Sequence, residues 1–252
     1  MRPRRLPREE EATLVEHLEE LRGRILMALA AVAVATAVAF ALHDRILEWL
    51  ARPLPLAHRQ LAALGVTEPF SVSLAVSLYA GLLFALPVIL WQLWSFLAPA
   101  LDPAAERRIL LFALFGVGLG AAGLAFGYGV LLPRAVHFLT NYDPTHFKIL
   151  IRASSYYSFV VTVLLGVVLV FETPLVVLAL VNLRILSSAG LRRNRRKGYF
   201  FVAVAALALP GPDPVTTLLE LLPMWALYEG SIWLAVLAER RAAKPSVLGA
   251  QA

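Results

Sequence analysis

The chain has 252 residues, a formal net charge of +6, a mean hydropathy of +0.73 and 60% hydrophobic residues, well above the roughly 45–50% apolar share of an average soluble domain. That composition points to a membrane protein, and the lack of any cysteine excludes disulfides, thiolate metal sites and cysteine nucleophiles. The five histidines form no HExxH and no i,i+4 pair, and no GxxxxGKS/T, GxGxxG or GxSxG phrase occurs, so zinc protease, nucleotide-driven and hydrolase chemistry have no footing.

Residues 1–24 read as a cytoplasmic tail leading into an amphipathic helix at the membrane surface. Arg4-Arg5 ahead of an apolar segment imitates a signal peptide, but Glu9, Glu10, Glu11, Glu16, Glu19 and Glu20 intervene, and signal peptides do not usually carry such an acidic block. A transmembrane helix takes about 20 mostly apolar residues, and the stretches 25–42, 70–97, 109–132, 156–181 and 215–237 lie near or above that length. A sixth stretch, 199–209, rises only about 16 Å as helix, roughly half of a hydrocarbon core. Arg192, Arg193, Arg195, Arg196 and Lys197 before it and the turn PGPDP after it frame it as a short fifth span paired with 215–237. The third span carries Gly116 and Gly120, then Gly123 and Gly127, spacings that let another helix approach closely. The connections 43–69 and 133–155 are long and rich in Pro and polar residues. Residues 25–237 thus form an all-α, six-helix transmembrane domain, and 238–252 a second cytoplasmic tail.

Lys and Arg set the orientation, because cytoplasmic flanks retain positive charge. With both termini inside, 17 of the 23 Lys and Arg fall on the inner side and 6 on the outer. The positive charge therefore reports topology and contact with anionic lipid, not nucleic-acid binding.

Two carboxylates stand at the inner edge. Glu20 lies in HLEELRGR, 17–24, where pairing with Arg24 or the adjacent Arg22 is a sufficient structural role. Glu106 opens the third span after Phe96-Leu-Ala-Pro, where exposed helical N–H groups and the helix dipole favour an acid. A third, Glu172, sits inside VLVFETPLVV, two residues before Pro174. An ionisable group at that depth is costly and marks a functional hypothesis; the alternative is a protonated packing device bonded to its own helix or to Gln92.

These phrases occur together in one family. From about residue 14 to about 238 the chain resembles TatC, the multi-spanning subunit of the twin-arginine protein translocase. The carriers are HLEELRGR, RPL at 52–54, PVILWQLWSFLAPAL at 87–101, ERR at 106–108, AFGYGVLLP at 125–133, SYYSF at 155–159, FETPL at 171–175, LPGPDP at 209–214 and LPMWALYE at 222–229. The resemblance implies a non-enzymatic, cofactor-free receptor in the inner (plasma) membrane that takes folded cargo through signal peptides carrying adjacent arginines. It assigns signal-peptide binding to Glu20 and Glu106, with Leu21, Arg22 and Phe96 beside them. The chemistry agrees: a guanidinium presents a planar fork that a carboxylate accepts bidentately, which lysine lacks.

The resemblance further implies a glove-like concave bundle kept thin by the short fifth and sixth helices, with Glu172 and Gln92 forming an intramembrane polar site. Pro53, Pro87, Tyr128, Tyr156, Pro174 and Asp213 become structural or partner-contact positions, although an Asp between prolines is also ordinary turn chemistry. Implied partners are single-span subunits resembling TatA and TatB, further copies of the chain, and membrane lipid, with drive from the protonmotive force. Two other readings stay open: a proton-coupled secondary transporter using Glu172, and a membrane scaffold without a cargo role.

Overall fold

A computed structural model describes residues 14–97, 109–143, 145–146, 149–208 and 214–242. All the regular structure among them is helical: α1 Leu14–Ala41, α2 His43–Ala51, α3 Glu68–Leu97, α4 Ile109–Phe126, α5 Leu132–Thr140, α6 Ala153–Phe171, α7 Thr173–Asn182, α8 Ser188–Arg193, α9 Arg195–Ala208 and α10 Pro214–Ala242. A 3-10 turn covers Leu56–His58, and a π-helical turn, Gly127–Leu131, joins α4 to α5. Five helical stretches among the described residues are long and apolar enough to cross a membrane: Val15–Ala41, Glu68–Leu97, Leu110–Thr140, Ala153–Asn182 and Thr216–Arg240. The 14-residue α9 is shorter, about 21 Å of rise.

The chain divides into two compact units. The first holds Met1–Ala51, Ala63–Gly118 and Arg152–Val161. Its framework is α1 lying along α3, brought close by Gly81, where a Cβ would fall 2.7 Å from Thr36 Cα. Apolar Val72, Val76, Ala85, Leu90 and Trp94 form the buried stripe of α3, and the Trp94 indole stacks on Phe112 at 4.5 Å. Ser73 and Ser77 lie in this stripe and donate to Pro69 O and Ser73 O of their own helix, which satisfies hydroxyls that have no water to turn to.

At the other end of α3, buried Glu68 gathers Leu64 N–H at 2.9 Å, Arg152 Nε at 2.9 Å and Ser154 N–H at 3.0 Å. The carboxylate holds the Arg152 guanidinium above its ordinary pKa. Beside this clasp Tyr156 Oη donates to Leu50 O at 2.8 Å and Tyr157 Oη to Leu47 O at 3.2 Å, the first giving a partner to a carbonyl that the end of α2 leaves open.

The second unit holds Arg52–Ala62, Leu119–Ile151 and Thr162–Ala252. Gly123 and Gly127 admit α6 closely, with Phe171 Cβ and Leu164 Cδ2 each 3.0 Å from where a Cβ would stand. Val177, Val181 and Ala235 make a buried seam between α7 and α10. The short α9 is fixed to α10 by Glu229, which accepts Tyr199 Oη at 2.5 Å and Arg195 Nη2 at 3.0 Å, and by Gly198, which leaves room for the Tyr228 ring. Glu239 at the end of α10 takes Ser188 N–H at 2.8 Å and the Ser188 hydroxyl, closing the start of α8.

The element boundaries depart from the sequence reading in four places. The first span and the helix before it are one unbroken α1. The connection 43–69 contains α2 and a 3-10 turn. The third span does not stop at 132: Leu132 N–H bonds Gly127 O, five residues back, and the widened turn carries the helix past Pro133 to Thr140. The helix expected as a short fifth span, α9, begins at Arg195, a turn earlier than its apolar run. The inner connection 98–108 and the turn at 209–213 lie outside the described residues.

Candidate functional site

Around Glu20 the first unit assembles a small polar group from α1 and α3. Arg24 Nε and Nη2 both converge on Glu20 Oε1, at 3.0 and 2.5 Å, the i,i+4 partner anticipated in sequence; Arg22 is exposed instead. Glu20 Oε2 takes no hydrogen bond among the described residues. Arg24 Nη1 also reaches Gln92 Oε1 on α3 at 3.5 Å, and Gln92 Nε2 contacts Met27 Sδ at 3.8 Å. The His17 ring stacks on Phe96 at 4.5 Å with an 18° interplanar angle, and Leu21 is half-buried. This end of the molecule therefore offers one part-buried carboxylate beside a flat aromatic surface. Glu106 lies outside the described residues.

Glu172 occupies the junction of α6 and α7. Its backbone continues the helix, with N–H to Val168 O at 3.2 Å, while Pro174 in the first turn of α7 removes one donor. The side chain is 6% exposed, and neither carboxylate oxygen has a hydrogen-bond partner among the described residues. The alternative of a carboxyl bonded to its own helix is therefore not met among the described residues, and Gln92 engages Arg24 and Met27 within its own unit. Near this junction Phe126, Val167, Phe171, Pro223 and Glu220 line a cavity of about 10 Å³, the room of a single water.

The remaining sequence-marked positions are structural in their surroundings. Pro53 sits in a turn held by Arg59, whose Nε and Nη2 donate to Leu54 O and Arg52 O at 3.1 Å each. Pro87 is exposed inside a continuous α3. Tyr128 is half-buried in the π-helical turn, Tyr156 holds α2 as described, and Asp213 lies outside the described residues. Sequence reasoning missed Glu68 as an organising group. Glu68 gave no signal, because its partners lie 84 and 86 residues away. On the connection after α5, hydrogen bonds from His146 and Thr145 hold the Asp143 carboxyl below its usual value.

A family model described as Sec-independent protein translocase protein (TatC) matches residues 16–223. The chain belongs to the TatC family. A TatC of Carboxydothermus hydrogenoformans is 36% identical over 224 residues, 88% of this chain and 92% of that protein. The TatCd protein of Bacillus subtilis is 36% identical over 232 residues, covering 92% and 94%. A crystal structure titled as the twin arginine translocase receptor TatC in DDM superposes with a TM-score of 0.77 at 30% identity, over 87% of this chain and 99% of that one. TatC membership makes the chain a component of a protein translocase, not an enzyme, and a multi-pass inner-membrane protein. It leaves the solute-transporter reading without support.

Proposed function

We propose that this TatC-family chain is the receptor that takes twin-arginine signal peptides at its cytoplasmic face and nucleates the translocation complex around them. The observation that carries this reading is Glu20: a part-buried carboxylate at the head of α1 with one oxygen unbound, next to the His17–Phe96 stack. Glu106 supplies the second carboxylate, so that adjacent arginines meet two acceptors, with Leu21 and Phe96 against the apolar part of the peptide. Partial desolvation strengthens such contacts well beyond the roughly 0–1 kcal/mol of an exposed pair.

Six spans with both termini inside complete the proposal, α9 serving as the short fifth. The excess of Lys and Arg on one side supports that orientation. Glu172, lacking any partner for its carboxylate, is the intramembrane polar group of the complex. Single-span TatA-like and TatB-like subunits and further copies of this chain are its partners, and the protonmotive force drives transport.

The test is binding of a synthetic twin-arginine signal peptide and its double-lysine counterpart to purified protein in lipid nanodiscs. The parent should prefer arginine at least tenfold, the cost of losing about 1.4 kcal/mol of forked contact. Glu20→Gln or Glu106→Gln should each erase that preference. Equal binding of both peptides by all three proteins would remove the receptor assignment.

A further inference from the structure

We propose that Arg24 is an internal stand-in for the cargo's arginine. In the resting chain its guanidinium occupies the Glu20 carboxylate, a peptide arginine displaces it, and Gln92 receives it as it lets go. The inference rests on the assignment of Glu20 to signal-peptide binding.

The geometry supplies each part of the exchange. Arg24 uses two donors, Nε and Nη2, on the single oxygen Oε1, so the carboxylate is engaged but not saturated. Oε2 remains as a foothold on which an incoming guanidinium can settle before the resident one departs. Arg24 is the more covered of the pair, its side chain 15% exposed against 23% for that of Glu20. A cation withdrawn into that position needs another acceptor, because an unpaired buried charge is expensive. Gln92 Oε1 stands 3.5 Å from Nη1, at the outer limit of a hydrogen bond, and shortens when Nε and Nη2 let go of Glu20. The Gln92 amide nitrogen gives up little in adjusting, since its own contact is to the weak acceptor Met27 Sδ at 3.8 Å.

The exchange is guanidinium for guanidinium, so an arginine peptide gains about what the chain loses. An internal competitor weakens every ligand by the same factor and so drops weak ones, such as a lysine peptide, below useful occupancy without altering the intrinsic preference.

The test uses the two synthetic peptides and full-length protein in nanodiscs, with Arg24→Met as the main variant and Arg24→Lys as a second that keeps the charge and lacks the fork. Arg24→Met should tighten both peptides about two- to fivefold, the worth of a partly screened pair, with their ratio unchanged, and Arg24→Lys should fall between. Gln92→Leu should weaken both peptides in the parent and have no effect in the Arg24→Met background. Unchanged or weaker binding by Arg24→Met, with the dependence on Glu20 intact, would sink the stand-in alone and make Arg24 a support for Glu20. Binding indifferent to Glu20→Gln would sink the receptor assignment and the stand-in with it.

Discussion

At the scale of single residues, the chain treats its buried acids in opposite ways. Glu68 is supplied with three donors, whereas Glu172, equally buried, has none among the described residues. An unsatisfied buried polar group costs stability, and replacing it by an apolar group of similar size recovers part of that cost. Glu172→Leu is therefore expected to unfold later than the parent in detergent, by on the order of 1 kcal/mol, while impairing export of folded cargo in cells. A variant that is less stable, or fully competent for export, would show that the carboxyl is an ordinary packing group. The sequence made Glu172 conspicuous because it stands, with only Thr173 as a polar neighbour, inside a long apolar run. It hid Glu68, whose setting at the head of an apolar run reads as an ordinary first-turn acid until Arg152 and Ser154 arrive from far along the chain.

Among the helices, periodicity and length announced the long apolar runs: 70–97 and 215–237 became the single helices α3 and α10, and 156–181 the consecutive α6 and α7. The misjudged parts have local causes. The nine-residue α2 is amphipathic and too short to cross a membrane, so it read as loop, and the hydroxyls of Tyr156 and Tyr157 that bond it come from more than 100 residues along the chain. Pro133 looked like a terminus because a uniform α-helix cannot spare its N–H, but the preceding turn is not α-helical. The pairing of α1 with α3 went unread although a signal was present: Ser73, Ser77, Gly81 and Ala85 repeat small residues at every fourth position along the buried stripe of α3. Gly81→Val should cost about 1–3 kcal/mol by overpacking, because the added carbons meet the Thr36 backbone, which has no rotamer to move into. Gly118→Val, which meets open space, is the matched control, and thermal unfolding of the two reads the difference.

For the molecule as a whole, orientation is an expectation that comes from counting charges on alternate connections. A chain without cysteine offers a direct check. Leu150→Cys lies on the connection assigned to the outside, and Ile185→Cys on the one assigned to the inside; both native side chains are exposed. A membrane-impermeant maleimide applied to intact cells should label the first and reach the second only after lysis. Equal labelling, or the reverse, would overturn the six-span arrangement. The division into two compact units could not have been read from the chain, because each is stitched from three separated segments whose association depends on side-chain contacts over long separations.

The π-helical turn also has an angular meaning. A single extra residue in a helix advances everything beyond it by about 100° around the axis. The faces that α4 and α5 present are thus set independently, although the two form one continuous rod. Leu132, Ala135 and Val136 point inward only because Gly127–Leu131 has already supplied that rotation. Deleting one residue there would leave every apolar side chain in the sequence and aim those three in the wrong direction, so the position behaves as a phase mark: its length, more than its side chains, is what the fold requires.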